Sequence, residues 1–515
     1  MSTKKNIKEI MSKRYIQIGI LIVLISLVCL MGTYAWFTWA SPSNTSVTLS
    51  IGNLADVTFT SGPDINVSNL APVYNYTDGV STTFVMKNNS TTNNLNYEIK
   101  LDVTSISNEL KSESFKYTLL KDNKVVQTGN LKNAVNGKTL TLNTGLLTKG
   151  STSNYKLYFW IDGNIENGSS MMNKSLVGKI NIEEKLTYIN TLFNNSTKTP
   201  VVNNSITYQY DTTNNLMQDT AGNIRYYGAS PNNYVYFNCD SYPSTNCELW
   251  RIIGVFDGKI KLMRNETIGK YSWDTSASAV NSGNGVNEWS QADLMKLLNP
   301  GHESESVGGS LYYNSKSGTC YNGYNNGTTS CNFTSTGIKN DTTRNMIAET
   351  TYNTGGWNTA DIFSNEMYEK ERGTAVVSNP IDGVTRTTTW IGKIALPYPS
   401  DYGFATDLSK CSQQIALYNI STDSYACRSN DWIYTALDMN DSWLLTPSSG
   451  SSALLAFSVS SSGQILSGSR INRICSPMGI IPVLYLSADQ DIVAGDGSQS
   501  NPYKLTGNWF NVIKK

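Results

Sequence analysis

Charge is scarce in this chain. Only 16% of its 515 residues are Asp, Glu, Lys or Arg, well under the roughly 25% of an ordinary globular protein. The 40 basic residues equal the 40 acidic ones, so no overall basic field exists to hold nucleic acid and no such partner is expected. Histidine occurs once, at His302. No Cys-x-x-Cys occurs, so a zinc site has little to draw on. No Gly-x-Ser-x-Gly elbow is present, which leaves Ser448 and Ser449, after Thr446-Pro447, poorly placed as serine nucleophiles. EF-hand spacing is absent as well. Residues 41–238 contain no cysteine, and nothing after residue 40 repeats the long apolar run that precedes it.

That run, Ile16 to Ala40, is the first feature that is present. Extended to Trp39 it supports a helix of roughly 36 Å at about 1.5 Å per residue, enough to cross a bilayer. Lys4, Lys5, Lys8, Lys13 and Arg14 precede it, so the positive-inside rule leaves residues 1–15 in the cytoplasm and sends Ser41 onward outside. Tyr34, Trp36, Phe37 and Trp39 supply an interfacial aromatic cluster. The same stretch also reads as a signal segment, since Thr33-Tyr34-Ala35 and Thr38-Trp39-Ala40 offer small-x-small cleavage sites. Two outcomes stay open: a protein held in the cell membrane by residues 16–39 with an extracellular carboxyl-terminal region, or one secreted after cleavage near Ala35–Ala40.

Cys29 lies inside the apolar run. The other cysteines fall in close pairs, Cys239 with Cys247, Cys320 with Cys331 and Cys411 with Cys427, leaving Cys475 over. Local disulfides suit an oxidising exterior; sequence does not fix their connectivity, and Cys475 reads either as a buried free thiol or as a cysteine that pairs differently. Their restriction to one half of the chain predicts two different domains.

Residues 41–182 read as an all-β sandwich. Alternation marks strands at Val47–Ile51, Thr82–Met86, Tyr97–Val103, Lys116–Leu120, Tyr155–Ile161 and Gly178–Ile182, separated by turn signals such as Asn136-Gly137 and Asp162-Gly163. Residues 183–205 read as a connector with a short helix within Glu183–Phe193. Residues 206–506 read as an α+β domain, followed by a tail, 507–515. Its clearest local signal is Asp257-Gly258, a tight hairpin turn between Leu249–Phe256 and Lys259–Arg264. Helices are predicted over Gln291–Leu298 with Ser290 as cap, over Thr342–Tyr352 and over Thr359–Arg372. Strands are predicted at Thr387–Ile391, Ser442–Thr446, Ala453–Val459 and Ile480–Leu486.

The run ending Gly32-Thr-Tyr-Ala-Trp-Phe37, together with Ser68-Asn-Leu-Ala-Pro72 and Phe84-Val-Met-Lys-Asn-Asn89, resembles the TasA/camelysin family of exported bacterial surface proteins. That resemblance implies a jelly-roll-like sandwich and cleavage near Ala35. In the second half, Glu248-Leu-Trp-Arg-Ile-Ile-Gly254, Tyr398-Pro-Ser-Asp-Tyr-Gly-Phe-Ala405, Asn430-Asp-Trp-Ile433, Trp443-Leu-Leu-Thr-Pro447, Gly479–Leu486 and Gly495–Tyr503 follow in order. Together they resemble an uncharacterised domain of surface proteins from Gram-positive gut bacteria. That domain is similar to the C-type-lectin-like fold of formylglycine-generating-enzyme relatives. The oxidase relatives need two cysteines near the carboxyl end, where this chain has Cys475 alone. The resemblance therefore carries no activity.

Calcium is the most reasonable ion, with Asn430, Asp431, Asn440, Asp441 and the Asp489-Gln-Asp491 phrase as oxygen donors. Asx turns explain the same residues equally simply. Trp357, between Gly355-Gly356 and Asn358, is the best candidate for an exposed sugar-stacking ring, whereas Trp250 and Trp443 sit in apolar strands and read as core. His302 reads as a loop residue rather than a general base. The expected function is non-enzymatic: an adhesin or ligand-binding protein for glycan or cell-wall material. The alternatives are a matrix or envelope component that self-associates through the sandwich, and an enzyme using carboxylates such as Asp401 or Asp431.

Overall fold

The structure, a computed structural model, describes residues 46–51, 64–68, 70–88, 95–148, 150–164, 168–242, 245–276, 283–377, 383–418, 422–437, 441–450, 454–467, 473–487 and 490–506. The apolar run 16–40, Cys29, Asn440, Asp489 and the tail 507–515 lie outside the described residues. Among those described, no helix is long and apolar enough to cross a membrane.

The first body is a β-sandwich. One sheet runs in the order Ser46–Ile51, Val80–Asn88, Thr152–Asp162, Phe115–Lys121 and Lys124–Asn130, with Pro72–Val73 beside Thr152–Asp162. The other runs Asp64–Val67, Leu176–Glu184, Leu95–Ile106 and Lys138–Leu147. Each strand predicted from alternation is present, lengthened at one or both ends. The alternation places Phe84, Ile99, Leu101, Leu119, Leu157, Ile161 and Ile180 in one core between the sheets. Inside it the Tyr97 and Tyr155 hydroxyls meet at 2.5 Å, and Phe84 stacks on Tyr155.

The second body is built on a larger sheet, ordered Thr199–Asn203, Ile206–Asp211, Leu216–Gln218, Ile224–Tyr226, Glu248–Phe256, Lys259–Arg264, Val483–Tyr485 and Ile394–Ala395. The hairpin at Asp257-Gly258 forms as predicted. Phe256 pairs with Lys259, and the two turn residues take φ of 49° and 73°, the positive pair that such a turn requires. Gly254 is needed for close approach, because a Cβ there would strike the Ile224 carbonyl. A second sheet joins Lys270–Tyr271, Met478–Gly479, Ser442–Pro447, Ala456–Val459 and Ile465–Leu466.

Several elements differ from the sequence reading for identifiable reasons. Residues 183–205, read as a connector with a short helix, do carry a helix, and they pack into the second body. The helix Tyr188–Asn195 buries Ile189 and Phe193 in the second body's core, and Thr199–Asn203 hydrogen-bonds to Ile206–Asp211 around an Asn204-Ser205 turn. Ser290 caps no helix: the Glu288 carboxylate takes its N–H and hydroxyl, making a short turn, and the helix runs Asp293–Leu298. The helix expected over Thr342–Tyr352 is only Asp341–Met346. Thr350–Asn353 is a strand against Thr389–Gly392, as its β-branched threonines and buried Tyr352 favour. The third helix is shortened to Ser364–Glu371. The helices Pro399–Ala405, Thr422–Ser429 and Trp432–Ala436 carry no sequence prediction. All seven residues of the first are buried, so it has no polar face to betray a helical period.

The three expected disulfides are present, Cys239–Cys247, Cys320–Cys331 and Cys411–Cys427, and Cys475 is a buried free thiol. Non-reducing peptide mapping should return these three pairs. A thiol reagent should modify Cys475 only after denaturation, and labelling in the folded state would contradict its burial.

Candidate functional site

The strand Lys259–Arg264 is buried along its whole length yet carries two lysines on one face. Both meet their environment through the sheet register. Lys261 stands opposite Tyr485 and is enclosed by the rings of Tyr398, Phe256 and Tyr485 at 4.5, 5.2 and 5.4 Å. Its ammonium donates to Asp401 Oδ2 at 2.5 Å.

Asp401 is held from three sides. Its other oxygen accepts from Arg225 Nη1 at 3.1 Å, and the Tyr398 backbone N–H bonds Oδ2 at 3.0 Å. Arg225 in turn donates through Nε to Asp219 at 2.6 Å. The Arg225, Lys261, Asp219 and Asp401 side chains are each at most 1% exposed. Burial alone would raise the Asp401 carboxyl, but Lys261 and Arg225 outweigh it and hold it below the usual carboxylate range. Burial pulls the Lys261 ammonium down to about 8 against the attraction of Asp401. Arg225 Nη2 has no hydrogen-bond partner among the described residues.

Next to this network lies a cavity of about 60 Å³ lined by Asn223, Phe256, Asp257, Lys259, Thr350, Thr351, Asn353, Tyr368, Arg372, Tyr398 and Tyr485. Six segments build it: Asn223 just before the strand Ile224–Tyr226, the Asp257-Gly258 hairpin, the strand Thr350–Asn353, the end of the helix Ser364–Glu371, Tyr398 just before Pro399–Ala405, and Tyr485 of the strand Val483–Tyr485. Arg372 stacks on the Tyr368 ring at 3.4 Å and pairs with Glu371 at 3.2 Å. Burial raises the Glu371 carboxyl to about 7, although Arg372 and the Ser400 hydroxyl that donates to it oppose the shift.

The residues singled out from the sequence lie elsewhere. Asp431 is fully buried. Its Oδ1 caps Trp432–Ala436 by accepting from the Ile433 and Tyr434 N–H groups, and its Oδ2 accepts from the Thr406 hydroxyl at 2.7 Å. Asn430 donates to the Ala426 carbonyl and accepts from Lys410. Asp441 accepts from the Ser461 N–H, and Asp491 from Tyr188 and Ile492. These oxygens are committed to local structure, and no group of three or more His, Cys, Asp or Glu that could hold a metal occurs among the described residues. Trp357 is half-buried against the core, with the Lys370 ammonium 3.9 Å above its ring. Trp250 and Trp443 are core, as read. His302 contacts Glu305 at 3.1 Å. Lys259, Thr351, Tyr368 and Arg372 were missed. Their one sequence signal is Lys-Ile-Lys-Leu, two cations on a strand otherwise apolar enough to be central.

No protein-family model matches the chain, and no characterised protein matches it. Among solved structures it shows likeness to the sugar-binding C-terminal domain of EclA, at 15% identity and TM-score 0.15, over 25% of this chain and 82% of that one. A pre-peptidase C-terminal domain of collagenase from Bacillus anthracis gives 12% and 0.15, over 28% and 99%. The CUB1-EGF-CUB2 domains of rat MASP-1 give 10% and 0.16, over 45% and 79%. TM-scores of this size assign no fold.

Two outcomes follow. Asp401→Ala leaves two buried cations without their shared acid and should cost about 3–5 kcal/mol in the unfolding of the second body, measured by urea denaturation of the oxidised chain. Asp431 titrates in the opposite sense, since burial raises its carboxyl to about 7, above the roughly 4 of an unfolded chain. Its favourable contribution is therefore full below about pH 4 and is lost as pH rises through about 7. Asp431→Asn keeps a capping oxygen without a titrating group, so its stability relative to the parent should rise between pH 4 and 8. A flat difference across that range would show Asp431 to be unperturbed.

Proposed function

We propose that the chain is a non-enzymatic bacterial surface protein whose second body binds glycan or cell-wall material. On this reading it is exported through residues 16–40. It is then either held in the membrane by residues 16–39 or released by cleavage near Ala35–Ala40. The likeness of its first part to the TasA/camelysin family and of its second to C-type-lectin-like surface domains supports the placement. Disulfide pairing of the second body supports an oxidising exterior.

The observation that carries the binding reading is the cavity beside the hairpin. It is concave, formed by six separate segments, and mixes aromatic rings with amides, hydroxyls and two cations. The carboxylates that an enzyme would use are engaged in structure: Asp401 pairs with Arg225 and Lys261, and Asp431 caps a helix.

A screen of the full oxidised chain against bacterial wall polymers and glycans should give saturable binding that disappears when the disulfides are reduced and the second body is unfolded. Absence of binding across such a panel would sink the reading.

A further inference from the structure

Hydrogen-bond donors without acceptors gather at the cavity. Lys259 is 8% exposed, lines the cavity, and has neither an ion-pair partner nor a side-chain acceptor among the described residues. The Thr351 hydroxyl on the facing strand is buried and unpartnered. Arg372 uses Nη1 for the Tyr368 carbonyl and Glu371, which leaves Nε and Nη2 without a protein acceptor among the described residues. Leaving a buried donor unmade is costly, and a buried ammonium is the costliest case. Lys259 and Thr351 are such groups, and the part-exposed Arg372 adds open donors beside them, which is what a site for an acceptor-rich ligand looks like before the ligand arrives.

Charge narrows the class. Lys259 and Arg372 contribute two positive charges to the lining and Asp257 one negative. Arg372 already pairs with Glu371, so the unpaired charge is that of Lys259, which suits a monoanion. Guanidinium N–H groups match the two oxygens of a carboxylate in one plane. The cavity of about 60 Å³ is also lined by Asn353 and Thr350, whose amide and hydroxyl can exchange hydrogen bonds with sugar hydroxyls.

We propose that this cavity takes the carboxylate of an acidic sugar, with Lys259 and Arg372 on the carboxylate and Thr351 donating a hydrogen bond to it. The assignment rests on the binding reading above. Burial lowers the Lys259 ammonium from its ordinary value; a bound carboxylate restores it, so ligand binding should carry proton uptake at alkaline pH.

The test is calorimetric titration of the full, oxidised chain in mild detergent with glucuronic acid, its methyl ester, glucose, acetate and polygalacturonate. Glucuronate and polygalacturonate should bind, while the ester and glucose stay silent. Lys259→Met and Arg372→Gln should each weaken binding at least tenfold, and Thr351→Val severalfold. Lys259→Met removes an unpaired buried cation, so its melting temperature should hold or rise, which separates lost binding from lost folding. Equal binding of glucose and glucuronate would overturn the carboxylate site while leaving the binding reading intact. So would a neutral wall polymer that binds the Lys259→Met variant as well as the parent. Acetate competing as effectively as glucuronate would overturn the sugar-acid assignment, and silence from both glucuronate and polygalacturonate would overturn the proposal outright.

Discussion

Asp401 between Arg225 and Lys261 is the interaction on which the second body depends. It ties three elements far apart in sequence: the strand Ile224–Tyr226, the strand Lys259–Arg264 and the helix Pro399–Ala405. Such charges are expensive to dehydrate, and only good geometry with further hydrogen bonds repays that. Here Asp219 takes Arg225 Nε, and the Tyr398 N–H completes the coordination of Asp401. An apolar cluster would pack the same space with many arrangements. A network with fixed donor and acceptor directions admits few, and it therefore sets where the helix Pro399–Ala405 sits on the sheet.

The cavity is a consequence of that placement. Tyr398 precedes the helix and forms one wall, while its hydroxyl lies 2.8 Å from the Asn353 N–H and fixes the strand opposite. The hairpin that supplies Lys261 to the network supplies Lys259 to the cavity, two residues along the same face. Structure and site thus share one strand. The deeper lysine is neutralised by Asp401, and the shallower one is left to whatever enters. The tip of the same hairpin lies against the first body, where a Cβ at Gly258 would meet Lys185 and Thr144 at 3.2 Å. The cavity lining accordingly runs up to the junction of the two bodies.

Much of the fold was legible in local sequence. Alternation located the sandwich strands because one face of each is buried and the other wet. Asp257-Gly258 fixed its hairpin because only such residues tolerate paired positive φ. Close cysteine spacing suggested the three pairs, and the structure supplies their connectivity. The failures have physical causes too. Residues 183–205 are polar and read as a linker, yet Thr199–Asn203 is an edge strand whose exposed face needs no apolar residues. Pro399–Ala405 is buried on all sides and has no period. Asn430, Asp431 and Asp441 are oxygen donors by type, but their oxygens already accept from groups two to twenty-five residues away along the chain.

The sequence by itself determined the strands of the sandwich, the Asp257-Gly258 hairpin and the close spacing of the paired cysteines, because each is written in residues close together along the chain. The tertiary structure alone decided which charges are neutralised and which are not. Lys259 and Lys261 are equivalent in sequence, both on one strand face. Only the arrival of Asp401, 140 residues on, engages the second and leaves the first facing Thr351 and Arg372 across a cavity. Burial and electrostatic pairing are properties of distances in space, and no local pattern records them.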